Sequence, residues 1–421
     1  MTGYVLFASM IIMLLVGVPI SVTLGAATLA ALLTLDVPLA VIPQRLFTAL
    51  DASSIMAIPF FVLAGNFMCE GGISRRLVDF CNSIIGNIRG GMAYAMILAC
   101  AFFAALSGSA PATVLAIGGM LYSDMVRIGY PGDRSAGLLA VAGGLGPIIP
   151  PSIVMVVYCT ITNSSVGDMF KAGIVAGIII ALVLFSLCGF YARRENWPRN
   201  TVRHSAKTIC INFVHAFPAL LLPVIILGGI YSGLMTPTES ASVAVVYSYI
   251  VGRFVYKEID LKNVYRIILD SGKSSAIVLF IIATSSAFSW LFTFSGISSQ
   301  IVNAIVAMNL APWLFCLVVA IILLIFGTFL EGISICVLLV PVLWPIAQSL
   351  GVNAIHFGMI VCVGIVIGNM TPPVAVNLFA SASVSKLSIS EIAKGEIPFF
   401  LGFVAVFFLF VLVPGMSTLL L

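Results

Sequence analysis

The chain has 421 residues, of which 61% are hydrophobic and only 8% charged, and its mean hydropathy is +1.21. That composition excludes a soluble enzyme or a nucleic-acid-binding domain and leaves a polytopic membrane protein with short loops. The formal net charge of +4 falls in basic loops, where the orientation rule for membrane proteins places it on the cytoplasmic side. A spanning helix takes about 20 apolar residues, so the length accommodates roughly ten to twelve spans.

In chain order, the first apolar run has no basic leader and no small-residue cleavage site, so it reads as a retained helix. Residues 4–35 are interrupted at Gly17-Val18-Pro19, which fits either two short helices or one kinked one. A loop with Asp36, Arg45 and Asp51 leads to a span over 54–68, and an amphipathic segment with Arg75, Arg76 and Arg89 follows on the cytoplasmic side. Two apolar arms, 91–106 and 111–125, flank Ser107-Gly108-Ser109-Ala110. Basic residues mark both outer ends, so the arms read as a re-entrant hairpin open to the cytoplasm. The next run, 136–159, contains Gly143-Gly144-Leu145-Gly146-Pro147-Ile148-Ile149-Pro150-Pro151-Ser152. Its prolines lack backbone donors and its glycines weaken helix, so it is a broken helix. In lipid such a break survives only where protein or a polar cavity covers it. The run crosses outward to a loop with Asp168, and 173–191 returns to Arg193, Arg194, Arg199, Arg203 and Lys207. A plain hairpin, 211–231 and 240–254, turns at Thr236-Pro237-Thr238-Glu239. This turn has the pattern of a capping box, which accounts for Glu239 as well as a functional role would. Arg253, Lys257, Lys262, Arg266 and Lys273 then suggest an interfacial helix.

The second half repeats the first with opposite orientation. Residues 274–292 cross outward, and Gly296-Ile297-Ser298 echoes Gly72-Ile73-Ser74 at 224 residues' distance. The run 313–350 breaks at Gly327-Thr328-Phe329-Leu330-Glu331-Gly332, with further breaks expected at Pro341 and Pro345. The run 354–380 contains Gly368-Asn369-Met370-Thr371-Pro372-Pro373, in which Gly368 and Pro372-Pro373 lie 222 residues after Gly146 and Pro150-Pro151. Lys386 and Lys394 mark the cytoplasm, and 399–413 exits with the C-terminus outside. The resulting division is 1–52 as N-terminal scaffold helices and 53–191 as a first repeat with hairpin 92–125 and broken helix 136–160. Residues 192–273 form a scaffold hairpin and interfacial segment, and 274–421 a second repeat with hairpin 312–350 and broken helix 354–380. The fold class is an all-α inverted repeat with two re-entrant hairpins and two broken helices, the architecture of secondary transporters.

Half-helix N-termini offer free amides to an anion, while unwound carbonyls and hydroxyls suit a hard cation such as sodium. Ser107, Ser109, Gly144, Gly146 and Pro147 supply such oxygens in one repeat; Thr328, Gly332, Gly368, Asn369 and Thr371 do so in the other, with Glu331 as the carboxylate. No arginine or lysine lies in these central elements. A substrate carboxylate would meet helix ends, the segments at Ala110, Pro150, Pro151, Pro372 and Pro373, and the side chains of Thr113, Ser152 and Asn377. Each of those three side chains fits a hydrogen bond within its own helix equally well. The nine cysteines and the three histidines, His204, His215 and His356, have no metal-ligand spacing, so no cofactor is expected. Ser271-Gly272-Lys273-Ser274 resembles the end of a phosphate-binding loop, but Ile267 stands where that motif needs glycine. Transport would therefore be driven by an ion gradient.

The segments 57–65, 103–110, 144–152 and 368–373 resemble those of the large membrane subunit of TRAP transporters, the tripartite ATP-independent periplasmic systems. The resemblance spans essentially the whole chain. It implies an elevator-type, sodium-coupled importer in a bacterial inner membrane that takes an organic acid, such as sialic acid or a C4-dicarboxylate, from a periplasmic binding protein. It also implies a separate small four-helix membrane subunit. The family's sodium sites fall on Ser107-Gly108-Ser109 with Gly144 to Pro147, and on Gly327 to Gly332 with Gly368 to Thr371. A stand-alone sodium/dicarboxylate symporter of related fold and a passive channel are the alternatives.

Overall fold

A computed structural model of the chain describes all residues except 1, 36, 86–87, 200–204, 309 and 373–374, and the side chain of 306. The Gly17-Val18-Pro19 interruption separates two helices packed on each other, α1 (Thr2–Leu15) and α2 (Ile20–Leu32). The segment expected as a loop contains α3 (Val41–Leu50), which carries Arg45 and packs on a later helix. Pro43 concealed it from the pattern, yet proline is harmless in a first helical turn, where its missing donor has no partner anyway.

The first repeat continues with α4 (Ala57–Glu70), α5 (Ile73–Ile85), the hairpin α6 (Gly91–Ser107) and α7 (Ala110–Ile128), and a helix broken into α8 (Gly132–Gly143) and α9 (Ile153–Thr162). After α10 (Val166–Arg194) come α11 (Ala206–Tyr231) and α12 (Pro237–Ile250). The capping box between these two is formed: Thr236 N donates to Glu239 Oε2 at 2.7 Å and Glu239 N to Thr236 Oγ1 at 3.2 Å. The second repeat comprises α13 (Leu261–Phe294), α14 (Ile297–Ala307), the hairpin α15 (Pro312–Gly327) and α16 (Gly332–Ser349), the broken pair α17 (Ala354–Gly368) and α18 (Val376–Ser385), and α19 (Ile389–Leu412). Helices α7 and α16 begin at 110 and 332, and α8 and α17 at 132 and 354, so both pairs lie 222 residues apart.

Two expectations are corrected. The basic segment 261–273 is not a separate interfacial helix but the first third of the continuous α13. Nothing between Lys273 and Ser274 stops a helix, and the single Gly272 costs only about 1 kcal/mol. Nor does α16 break at Pro341 or Pro345. Pro341 has no N–H to give the carbonyl of Val337 four residues back; instead Ser285 Oγ of α13 donates to that oxygen at 2.7 Å. A neighbouring hydroxyl thus replaces the lost backbone bond, which is how membrane helices accommodate proline. Ser285→Ala leaves this buried carbonyl unpaired, at a cost of about 1–3 kcal/mol. We expect a lowered unfolding temperature in detergent, restored when Pro341→Ala supplies the missing amide in the same chain. A double mutant no more stable than Ser285→Ala alone contradicts this account.

The helices fall into two groups. Helix α13 packs on α2, α3 and α4, while α12 packs on α4 and α11, and α11 on α5. The hairpins, broken helices, α10 and α19 form the other group, and α5 joins the two by packing on α6 as well as on α11, as α13 does by packing on α16. Within it the repeats interlock: α7 packs on α8 of its own repeat and on α18 of the other, while α16 packs on α17 of its own and on α9 of the other. In lipid the attraction between helices comes from close packing of small residues. Gly137 of α8 and Gly395 of α19 do this, each with its Cα against the other helix's backbone at Glu396 and Asp133. Among the described residues six helices are long and apolar enough to cross a membrane. The shorter apolar helices include α6, α9, α15, α17 and α18, members of the hairpins and broken pairs.

Candidate transport site

The hairpin tips and helix breaks meet. Helix α6 ends at Ser107, Gly108 turns the chain with a left-handed φ of 60°, and Ser109 caps α7 in extended conformation. A side chain at Gly108 would be strained and would also lie 2.9 Å from Pro151 O. The Ser107 and Thr113 hydroxyls are 3.0 Å apart, and Thr113 Oγ1 donates to Ser109 O at 2.8 Å. Thr113 is fully buried and Ser107 half-buried. Against this tip lies the first break, where a Cβ on Gly146 would be 2.7 Å from Ser109 C and O.

The break is a run of tight turns: Gly144 N donates to Val141 O, Gly146 N to Gly143 O, and Ile148 N to Leu145 O, all within 3.1 Å. Among the described residues no backbone amide bonds to the carbonyls of Gly144, Gly146 or Pro147. Ser152 restarts the helix, accepting from Met155 N at 3.4 Å, and is itself fully buried. Pro150, Pro151 and Ala110 lie at the same junction, and Ala110 and Pro151 are buried.

The second repeat builds the same arrangement with different chemistry. Gly327 and Gly368 meet backbone to backbone. Glu331 stands exposed before α16 and makes no described ion pair, while Gly332 lies against Ile365 and near Asn369. The Thr328 and Thr371 hydroxyls both turn back on their own helices, each donating at 2.8 Å, to Ile325 O and Ile367 O. Asn369 is 6% exposed, and among the described residues its Oδ1 has no hydrogen-bond partner. Asn377 is fully buried: its side-chain amide donates to Ala140 O at 3.1 Å, and Ser381 Oγ donates to Ala136 O at 2.8 Å, tying α18 to α8. Pro372 is exposed. Pro373 lies outside the described residues.

The two breaks also touch each other, since Gly144 packs on Met370 and Val366. The C-terminal ends of α6, α8, α15 and α17 and the N-terminal ends of α7, α9 and α16 meet around these contacts, and Asn377 N at the start of α18 donates to Asn369 O at 3.0 Å. Carbonyl ends suit a cation and amide ends an anion. The donor set fits a hard cation: oxygen ligands only, with unclaimed carbonyls in one repeat and an orphaned buried amide oxygen in the other.

Beside the first tip is a cavity of about 200 Å³ lined by Ser107, Ser109, Ile153, Gly65, Asn66 and Ser274. The N-termini of α7 and α9 both reach it. Through Cys69 and Ala112 it adjoins a second cavity of about 470 Å³ that reaches Glu70 and Arg75 at the basic end of the molecule. Asn66 and Ser274 were missed in the sequence reading. Asn66 donates to Ser271 Oγ at 2.7 Å. The one signal for it was a polar residue inside the apolar run of α4, next to the 57–65 segment.

The profile of the family described as "Tripartite ATP-independent periplasmic transporter, DctM component" matches residues 7–416. The chain belongs to this family. A C4-dicarboxylate TRAP transporter large permease protein of Rhodobacter capsulatus is 38% identical over 99% of this chain and 98% of its own length. One from Pseudomonas aeruginosa is 43% identical over 89% of this chain and 87% of its own. The solved YdaH transporter of Alcanivorax borkumensis superposes with a TM-score of 0.62 at 13% identity, covering 93% of this chain and 96% of that one, which supports the fold alone. As a DctM-type TRAP permease, the chain is a multi-pass membrane transporter subunit and not an enzyme.

Proposed function

We propose that this chain is the large membrane subunit of a sodium-coupled TRAP importer of an organic acid, with C4-dicarboxylates the first class to test. The observation that carries the reading is the pairing of two hairpin tips with two helix breaks, which gathers carbonyl ends and amide ends in one place. Sodium would be held by Ser107 to Ser109 with Gly144 to Pro147, and by Gly327 to Gly332 with Gly368 to Thr371. The acid's carboxylate would meet the N-termini of α7 and α9, with Asn66 and Ser274 across the cavity. The names of two relatives of this length, both C4-dicarboxylate permeases, support the substrate class. The hairpin-and-break group would move as an elevator against the group around α4, α11, α12 and α13. The adjoining cavities that lead to the basic end support an inward-facing arrangement. In this reading the protein sits in the inner membrane with its C-terminus outside and works with a small membrane subunit and a periplasmic binding protein.

The test is uptake into proteoliposomes. Labelled C4-dicarboxylate should accumulate above equilibrium only with the small subunit, the loaded binding protein and an inward sodium gradient together. Uptake by the chain alone points to a stand-alone symporter, and uptake that never exceeds equilibrium points to a channel.

A further inference from the structure

A separate cavity of about 480 Å³ lies where α3 and α13 face the end of α9 and the middle of α16, lined by Arg45, Thr160, Ser286, Ser289, Trp290 and Pro341. It is at the end of the molecule opposite the basic loops: Ser289 is about 24 Å along α13 from Lys273, at 1.5 Å per residue. Ile55, which also lines it, is two residues after Ser53, whose carbonyl accepts from Thr238 in the α11–α12 turn at 2.7 Å. The volume is in the range of small-molecule sites.

The charge here is out of place. Every lysine and arginine other than Arg45 and Lys171 falls in a segment that the sequence assigns to the cytoplasmic side. Lys171 is accounted for by Asp168, 3.0 Å away. Arg45 pairs with no carboxylate among the described residues. Its guanidinium is held over the Trp290 ring, 5.2 Å from the centroid. That contact fixes the cation without occupying its five N–H donors, which match a carboxylate in a bidentate way. Ser286 and Ser289 line the same cavity.

We propose that Arg45 over Trp290, with Ser286 and Ser289, forms a carboxylate-binding site that holds the anionic solute on the far side, ahead of the central helix ends. The inference rests on the transport reading above and adds a residue to it. The proposed central site has no lysine or arginine, so a carboxylate there would meet helix ends, hydroxyls and bound cations; here a side chain carries the positive charge, and the Ser285–Val337 bond joins this wall to the second hairpin.

Two measurements test it. In the first, purified protein in a detergent with an uncharged head group is titrated with succinate, acetate and, as an uncharged control, succinamide. Tryptophan fluorescence is read against Trp290→Phe to isolate that ring among the four tryptophans. The two carboxylates should give a saturable change that succinamide does not, weakened about tenfold or more in Arg45→Gln and partly regained in Arg45→Lys. No saturable change, or an unaltered one in Arg45→Gln, overturns the proposal. So does a Trp290 response to phosphatidylglycerol that carboxylates fail to compete for, which would make the occupant a lipid phosphate. In the second, the reconstituted complex carrying Arg45→Gln should need about fivefold more loaded binding protein for half-maximal uptake, with the maximal rate within about twofold. Unchanged half-saturation overturns the proposal. If the wild-type complex shows no uptake, the transport reading fails, while the fluorescence titration still decides the anion site.

Discussion

Gly368→Ala is expected to abolish uptake while the protein still assembles and extracts as a monodisperse species. The Cα atoms of Gly327 and Gly368 are packed so closely that any Cβ on one lands on the other's backbone. Flexible side chains can yield to an added methyl, but main chain at the end of two helices cannot. Overpacking of this kind costs about 1–3 kcal/mol even when the surroundings relax. Here relaxation means moving the tip of α15 away from the break, which pulls apart the oxygens proposed to hold one cation. A displacement of that sort, of about 1 Å, is enough to disable a site that depends on geometry. Gly119→Ala in α7 is the matched control, because nothing lies within 4 Å of its added carbon and alanine favours the helix. We expect uptake below about a twentieth of wild type for Gly368→Ala, a loss of about 1.8 kcal/mol or more, and no change for Gly119→Ala. Near-normal transport by Gly368→Ala would remove the tip-to-break contact from the mechanism.

The second large effect concerns sodium. Asn369→Ala should raise the sodium concentration for half-maximal uptake about tenfold, equivalent to about 1.4 kcal/mol, which is within the worth of a buried polar contact to a charge. Asn369 Oδ1 is buried without a partner among the described residues, and such an acceptor is costly unless a ligand uses it. Ser109→Ala and Thr371→Ala should shift the same curve less, about threefold, since the Thr371 hydroxyl is already turned to Ile367 O. A purely structural role makes a different forecast: removing an unpaired buried acceptor would stabilise the protein in sodium-free buffer and leave sodium activation unchanged. Measuring the unfolding temperature with and without sodium, beside the uptake curve, separates the two.

Much of this architecture was legible because its signals are local. A proline without a donor and a glycine without a side chain act on the few residues around them, so the break at 144–152 and the end of α17 at Gly368 could be read directly. The same holds for the Thr236–Glu239 cap, whose two bonds close within one turn. The failures have the opposite character. Pro341 carries the same local signal as a helix-breaking proline, but Ser285, far away in the chain, cancels it. The helix at Val41–Leu50 is only ten residues long and carries Pro43 in its first turn, so it passed for a loop until its packing on α13 was seen. Asn66 and Ser274 became candidates only when α4 and α13 were seen to enclose the cavity beside Ser107 and Ser109.

The sequence by itself determined that the chain is a membrane protein of two related halves, with a hairpin and a broken helix in each. Hydropathy, charge sidedness and repeat spacing are carried by composition and distance along the chain, and need no knowledge of contacts. Only the tertiary structure decided that each hairpin packs on the second half-helix of the other repeat, and that Gly144 meets Met370 between the two breaks. It alone brought Arg45 over Trp290 in a cavity of its own. The physical reason is that in lipid the hydrophobic pattern cannot say which apolar face meets which. That choice falls to close backbone approach at glycines and to single side-chain hydrogen bonds between distant helices, and neither leaves a periodic trace in the sequence.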